Sequence, residues 1–319
     1  MQSPIVVCAV ADAGYLPLTL VVARSIAATT TTGRPVMFYV VYDGPDSAMT
    51  ERVGRWRDPV VSIRLVRHAN PWADVGRIGR FPPSTLHRAA IAELLAQHDR
   101  AIYLDLDLVV NADLSALFDA DLDGNAIGAV VDLPFVDSLL RDTDRARSTR
   151  AYLPEVLGLD TPERVSRYVQ GGVALLDLDQ LRRIRFAQRF GDFVREHRDR
   201  LIYADQCALN AILRDDIALL PPTWNVMATS LRPGIIENAP EGVRAAYVEQ
   251  RAAPGIVHFG GPKPWSSGTI PLGHLWWRYA FQTGIWPAYI VSWLAGLGII
   301  NPAGIRRWKA RMAKRRRTA

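Results

Sequence analysis

Residues 101–110, AIYLDLDLVV, place two carboxylates inside an otherwise apolar run. Ile, Tyr, Leu and Val at this density form a buried strand, and the side chains of a strand alternate between its faces. Leu104, Leu106 and Leu108 then share one face, and Asp105 and Asp107 share the other. Two like charges that close raise each other's pKa unless a positive group lies between them. A divalent cation, which takes carboxylate oxygens, supplies one. The alternative is that the strand ends before Asp105 and both acids are solvated in a turn.

The flanking sequence decides what kind of sheet carries this run. Residues 5–11 (IVVCAVA), 36–44 and 62–66 read as strands, and residues 15–29 have helical spacing. Residues 84–98 (STLHRAAIAELLAQH) read as a helix with Ser84 at its N-cap. Strands alternating with helices imply an α/β fold, a mostly parallel, Rossmann-like central sheet with helices on both faces. Ligands on such sheets bind beyond the carboxyl ends of the strands, where Asp105 and Asp107 lie. Further on, 126–132 reads as a strand, 137–168 as a charged, loop-rich stretch with some helix, and 171–184 as a strand running into a helix. Residues 203–213 read as a helix and 255–261 as a strand ending in a glycine pair.

The chain of 319 residues is 49% hydrophobic and 22% charged, an ordinary globular composition without internal repeats. Cys8 and Cys207 both sit among apolar residues, as buried thiols in a reducing compartment do. The N-terminus lacks a basic n-region and its short apolar run meets Asp12, so it reads as a first strand and not as a signal peptide. No glycine-rich phosphate loop, dinucleotide fingerprint, serine elbow or zinc-ligand spacing occurs, which leaves the chemistry to carboxylates and a cation. Charge is unevenly placed. No Asp or Glu follows Glu249, whereas eleven Lys and Arg lie from Gln250 onward, eight of them after Gly304. Against the total of +6, this leaves residues 1–249 at −5. A nucleic-acid-binding body would carry its own basic face, so no nucleic-acid partner is expected.

With these residues in place, the chain resembles glycosyltransferase family 8, retaining enzymes of the GT-A fold, in five ordered blocks from about Ile5 to about Trp265. The block AVADAGY is similar to the family's uracil- and ribose-binding strand end, which implies contacts from Ala11, Asp12 and Tyr15; Gly14 stands where Asn is frequent. Arg88 matches an arginine that reaches the donor sugar and the paired acids. YLDLDLVV resembles the metal-binding block, which implies Asp105 and Asp107 as ligands of Mn2+ or Mg2+, with Leu106 at the nucleotide. YVQGGVALLDL resembles a sugar-pocket block through Gly171 and Gln170, where Asn is usual, and Asp132 matches a sugar-binding acid. YADQCALN supplies Asp205 and Gln206 at the reacting centre. VHFGGPKPW supplies His258 as third metal ligand, with Gly261 and Lys263 on the diphosphate. An imidazole among oxygen ligands favours Mn2+. Trp224, in PPTWN, fits either a sugar ring or the core.

The resemblance implies attack of an acceptor hydroxyl on C1 of a UDP-hexose, galactose or glucose, with retention at the anomeric carbon. Two routes retain: a glycosyl-enzyme on Asp205, or same-face entry in which a donor phosphate oxygen takes the proton and Gln206 lines the centre. A glycan or glycolipid acceptor, such as a lipopolysaccharide core, is expected from the C-terminal tail, and protein acceptors also occur in the family. Residues 1–275 read as the catalytic domain and 276–319 as a tail. The tail has an apolar run at 284–300, interrupted by Pro287, Gly296 and Gly298, followed by basic residues 306–317. That run is short of the roughly twenty residues a spanning helix needs. It reads as lying on the anionic, cytoplasmic face of the cell membrane, with Trp286, Trp293 and Trp308 at headgroup level, or as a packed helix followed by a solvated end. The competing readings are a nucleotidyltransferase or sugar-nucleotide hydrolase, which also pairs carboxylates for a metal, and a non-catalytic membrane tether.

Overall fold

A computed structural model describes residues 3–299, 301 and 304. In chain order its strands are β1 (Ile5–Ala11), β2 (Val36–Tyr42), β3 (Val61–Arg67), β4 (Arg100–Leu104), β5 (Leu108–Val110), β6 (Ile127–Val131), β7 (Val169–Asp177), β8 (Ile217–Leu219), β9 (Val226–Met227) and β10 (Ile256–His258). Seven of them form a central sheet in the order β3-β2-β1-β4-β7-β6-β8, and β5, β10 and β9 form a small second sheet. β1 to β4 run parallel, with Ile5 opposite Val36, Val36 opposite Val61 and Val7 opposite Ile102. β8 is parallel to β6, while β7 runs antiparallel to both β4 and β6. The sheet is the mostly parallel one expected, with one reversed strand. β1 and β2 are apolar and buried along nearly their whole length, as strands covered on both faces must be.

Helix Leu18–Thr29 starts three residues later than its spacing suggests. Asp12 holds the preceding residues in a turn: its carboxylate accepts from the Gly14 and Tyr15 N–H groups, each at 2.9 Å, and its carbonyl from the Leu16 N–H at 2.8 Å. The wholly buried Ser25 on this helix donates to the Val22 carbonyl (2.8 Å) and accepts from the Val110 N–H (3.0 Å), which ties β5 to the helix.

Two expectations need correction. Residues 101–110 are not one strand. β4 stops at Leu104, and residues 105–107 carry the chain across to β5 in the other sheet. The Asp105 N–H still bonds the Gly172 carbonyl in the large sheet (2.7 Å), whereas the Asp107 carbonyl accepts from the Phe259 N–H next to β10 (2.8 Å). Nor are both acids solvated, since Asp107 is only 6% exposed and Asp105 is half-buried. Residues 84–98 are likewise not one α-helix. A 3₁₀ segment, Pro83–Ala90, precedes a single α-helical turn, Ile91–Leu94, and Pro82 occupies the N-cap position. The segment opens with a tight turn, Thr85 N–H to the Pro82 carbonyl at 3.1 Å, while the Ser84 hydroxyl faces Asp12 Oδ2 at 3.5 Å.

The division expected after residue 275 falls inside helix Gly273–Thr283. Trp276 of this helix is wholly buried, and Trp277 and Tyr279 nearly so, in the same core as the central sheet. Beyond it, a 3₁₀ turn, Trp286–Ala288, leads to the short helix Ile290–Gly296. Tyr289 packs on Trp265 and Trp276, with ring centroids 5.8 and 5.3 Å apart. Two glycines bring backbones together: a Cβ on Gly296 would lie 2.7 Å from the Gly268 nitrogen and 2.8 Å from the Ser266 carbonyl oxygen. Residues 284–299 therefore pack on the body through Ile285, Tyr289, Ile290 and Trp293, while Trp286 and Ile299, and Phe281 before them, are exposed. Among the described residues, no helix is long and apolar enough to cross a membrane. Trp308 and the basic run 306–317 lie outside the described residues.

Deleting the indole at the centre of this packing measures how far the C-terminal helix belongs to the core. Trp276→Ala is expected to lower stability by about 3–5 kcal/mol, in a single urea transition seen alike by circular dichroism and fluorescence. An early, separate transition carrying only part of the signal would show an independent C-terminal unit.

Candidate active site

Asp105 and Asp107 converge on His258, which ends β10. One carboxylate oxygen from each of Asp105 and Asp107 and a ring nitrogen of His258 lie within 4.8 Å of one another. His258 Nε2 is 3.2 Å from Asp107 Oδ1 and 3.7 Å from Asp105 Oδ2. Lys263 completes the cluster, its ammonium bonded to Asp107 Oδ2 and to the Phe259 carbonyl. Burial alone would push the Asp107 carboxyl up, but His258 and Lys263 hold it well below the usual carboxylate range. Two carboxylate oxygens and an imidazole nitrogen form a donor set that suits a divalent cation. β7 makes room for it with a glycine: a Cβ at Gly172 would collide with the His258 ring and lie 2.5 Å from Asp105 Oδ2.

The other oxygen of Asp105 is held by protein. Oδ1 accepts from the Tyr103 hydroxyl (2.9 Å) and from Arg88 Nη2 (2.7 Å). The same guanidinium donates to the Gly171 carbonyl (2.7 Å) and lies over the Tyr103 ring, 4.3 Å from its centroid. Its Nε is 2.9 Å from Asp205 Oδ2, but the N–H is not aimed at that oxygen, so the contact is charge against charge and not a formed hydrogen bond. Gly171 leaves the guanidinium its place, since a Cβ there would sit 2.8 Å from Arg88 Nη1.

Asp205 and Gln206 enter from the first turn of helix Ala204–Leu213. Ala204 takes a positive φ of 39°, a costly conformation for a residue with a side chain, as the chain turns into the helix. Burial pushes the Asp205 carboxyl up to about 6, with Asp105 adding to the shift and Arg88 opposing it. Gln206 donates to Asp132 Oδ2 (2.9 Å) and accepts from the Gly171 N–H (3.3 Å). Asp132 also caps helix Leu133–Leu140 through Oδ1, and burial raises its pKa.

The expected nucleotide side lies at the end of β1. Ala11 is buried, and Asp12 and Tyr15 are half-buried. Burial pushes the Tyr15 phenol up, and the negative charges of Asp107, Asp105 and Asp12 add to the shift. Leu106 as a whole is only 2% exposed, so its side chain packs in the core and does not face a ligand. Gly261 is exposed on the loop carrying Lys263. Trp224 packs beside Gly255, where a Cβ would lie 3.3 Å from its ring.

Two residues at the site escaped the sequence reading. Tyr103 looked like one more apolar strand residue. Asn225 follows Trp224 in a turn, and its Oδ1 lies 3.0 Å from His258 Nδ1. Gln170 also differs from its expected part: its side-chain carbonyl is committed to the Gly172 N–H and to Asn225 Nδ2, each at 2.6 Å, leaving only the amide NH2 for a ligand.

The raised Asp205 pKa has a definite sign. Its folded value, about 6, exceeds the ordinary 3.8. The stability this group contributes is therefore fully present below pH 4 and is lost as pH rises through 6. Asp205→Asn should remove that dependence, so that urea unfolding at pH 4 and pH 7 differs between wild type and variant by up to about 3 kcal/mol. Equal pH profiles for the two proteins would show that Asp205 is not desolvated. Gly172→Ala should displace the His258 ring, read as a shift of its signals in 15N-histidine spectra, and unmoved signals would contradict the close approach of β7.

The chain matches Glycosyl transferase family 8 over residues 6–269. General stress protein A of Bacillus subtilis (strain 168) is 29% identical over 249 residues, covering 74% of this chain and 78% of that protein. The lipopolysaccharide 1,2-glucosyltransferase of Escherichia coli (strain K12) is 24% identical over 189 residues, 59% of this chain and 50% of that enzyme. Among solved structures, the bifunctional glycosyltransferase WbbM superposes with a TM-score of 0.75 at 21% identity, over 91% of this chain and 52% of that one. The galactosyltransferase LgtC, in complex with donor and acceptor sugar analogues, superposes with a TM-score of 0.70 at 23% identity, over 88% of this chain and 96% of that one. The chain thus spans about half of WbbM and of the Escherichia coli enzyme, and nearly all of LgtC. With the family's sequence pattern running through most of its length, on a GT-A fold shared with LgtC, the chain belongs to glycosyl transferase family 8 and is a glycosyltransferase.

Proposed function

We propose that this enzyme moves a hexose, galactose or glucose, from a UDP-sugar to a glycan or glycolipid acceptor, with retention at the anomeric carbon and dependence on Mn2+ or Mg2+. The observation that carries the reading is the meeting of Asp105, Asp107, His258 and Lys263 at one point. A galactosyltransferase and a lipopolysaccharide glucosyltransferase among its relatives support the hexose and the acceptor class.

Asp105, Asp107 and His258 would hold a divalent ion, which when bound would supply positive charge to the departing diphosphate. Lys263 adds a second cation on a flexible stem, its ammonium moving from Asp107 to a diphosphate oxygen as the donor enters. Tyr15 keeps its phenolic proton and offers a ring to the uracil, and Asp12 Oδ2 is available to the ribose. Arg88, Asp132, Gly171 and Gln206 surround the hexose. Asp205, paired with Arg88, stabilises positive charge at C1. We assign retention to same-face entry of the acceptor, with a donor phosphate oxygen taking its proton and Gln206 lining the reacting carbon. The basic residues after Gly304 hold the enzyme at the anionic cytoplasmic face of a membrane.

The test is UDP release from a panel of UDP-sugars, with and without Mn2+, in wild type and Asp107→Ala. One donor should be turned over by the wild type with metal, and Asp107→Ala should lose at least about a hundredfold in rate, the scale set by removing one stabiliser of developing charge. Release of sugar 1-phosphate in place of UDP would mark cleavage inside the diphosphate, the reaction of a nucleotidyltransferase or pyrophosphatase. If no UDP-sugar reacted and calorimetry showed no Mn2+-dependent UDP binding, the acid pair would be structural and the reading would fall.

A further inference from the structure

We propose that Gln170 and Asn225 form a hydrogen-bond relay that fixes the ring of His258, which makes both of them positioning residues of the cation site. The inference rests on the cation-binding reading of Asp105, Asp107 and His258 given above.

The relay starts at a group with no freedom of role. A backbone N–H can only donate, so the Gln170 atom 2.6 Å from the Gly172 nitrogen is the carbonyl oxygen, Oε1. That oxygen also lies 2.6 Å from Asn225, whose facing atom must then be the donor, Nδ2. The other end of the same amide, Oδ1, therefore faces His258 Nδ1 at 3.0 Å and can only accept. Nδ1 carries the hydrogen, and Nε2 is the nitrogen turned towards Asp105 and Asp107. Flipping either amide would set donor against donor or acceptor against acceptor in a buried place, since Asn225 is 2% exposed and His258 1%. The turn carrying Asn225 is itself held from helix Glu241–Ala252, where Gln250 Nε2 donates to the Pro222 and Asn225 carbonyls at 3.2 and 3.3 Å. The relay is thus anchored on the Gly172 backbone at one end and through the held turn at Asn225.

Chain length matters at position 170. An Asn there would be one methylene shorter, about 1.5 Å, and its carbonyl could not serve both the Gly172 N–H and Asn225 in this geometry. Gln170 and Asn225 work as a pair, and the contribution of Gln170 runs through His258 and not through direct contact with the sugar.

Two readouts on the full chain, without nucleotide, test this. The first is Mn2+ affinity, measured by electron paramagnetic resonance of the free ion. The second is a slowly exchanging Nδ1–H of His258 in 15N-histidine spectra of metal-free protein, assigned by its absence in His258→Gln. Gln170→Leu should lose the protected Nδ1–H and bind Mn2+ about ten- to a hundredfold more weakly, the usual effect of removing a partner behind a metal ligand. Gln170→Glu, which keeps a carbonyl-like acceptor for both donors, should retain the signal and the affinity. If Gln170→Leu does not fold, Gln170→Asn serves as the milder break and should shift both readouts the same way. A Gln170→Leu protein with wild-type Mn2+ affinity and an intact Nδ1–H would overturn the relay and return Gln170 to sugar contact. So would a Gln170→Glu protein that behaved like Gln170→Leu. A wild type that shows the protected Nδ1–H but takes up no Mn2+ would defeat the cation reading instead, leaving the relay without its proposed purpose. A wild type that binds Mn2+ with no protected Nδ1–H would defeat the relay alone.

Discussion

The rest of the site depends on the guanidinium of Arg88. Asp105 and Asp205 come from different strands and helices, both are largely removed from water, and each makes the other's charge less favourable. One planar cation between them, with a carbonyl and an aromatic face as further partners, lets both carboxylates remain where they are. A lysine has neither the spread of donors nor the flat face for this arrangement. Loss of such a buried partner leaves charges uncompensated, at a cost of about 3–5 kcal/mol. The short 3₁₀ segment that carries Arg88, held between Asp12 on one side and β7 on the other, is the structural price of aiming it.

The parallel half of the fold was legible because its strands are covered on both faces, and apolar runs such as 5–11 and 36–42 report that directly. The acid pair, the histidine and the lysine were legible as residue types in sequence order. The hand-over between sheets was not. Leu104 and Leu108 are equally buried, and a continuous apolar run cannot show that its two halves belong to different sheets. The 84–98 segment looked like an α-helix because its apolar residues fit that spacing, while Pro83 and the contacts of Ser84 and Arg88 select tighter turns.

Roles that depend on a distant partner were the hardest to read. Asn225 sits in a turn without periodicity, and its partners lie 55 residues before it and 33 after it in the chain. Gln170 invited a comparison with a shorter amide at the same place, but where its carbonyl points is set by Gly172 and Asn225. Pro287, Gly296 and Gly298 did argue against a spanning helix, yet the sequence offered no sign that Gly296 is there to let one backbone lie against another.

The break between β4 and β5 has a mechanical side. Asp105 is anchored to the large sheet through the Gly172 carbonyl, whereas Asp107 and His258 move with the small one through Phe259 and β10. The three donor atoms therefore straddle a seam. Their spacing is a gauge of how the two sheets are aligned, and whatever bridges them acts as a rivet through both.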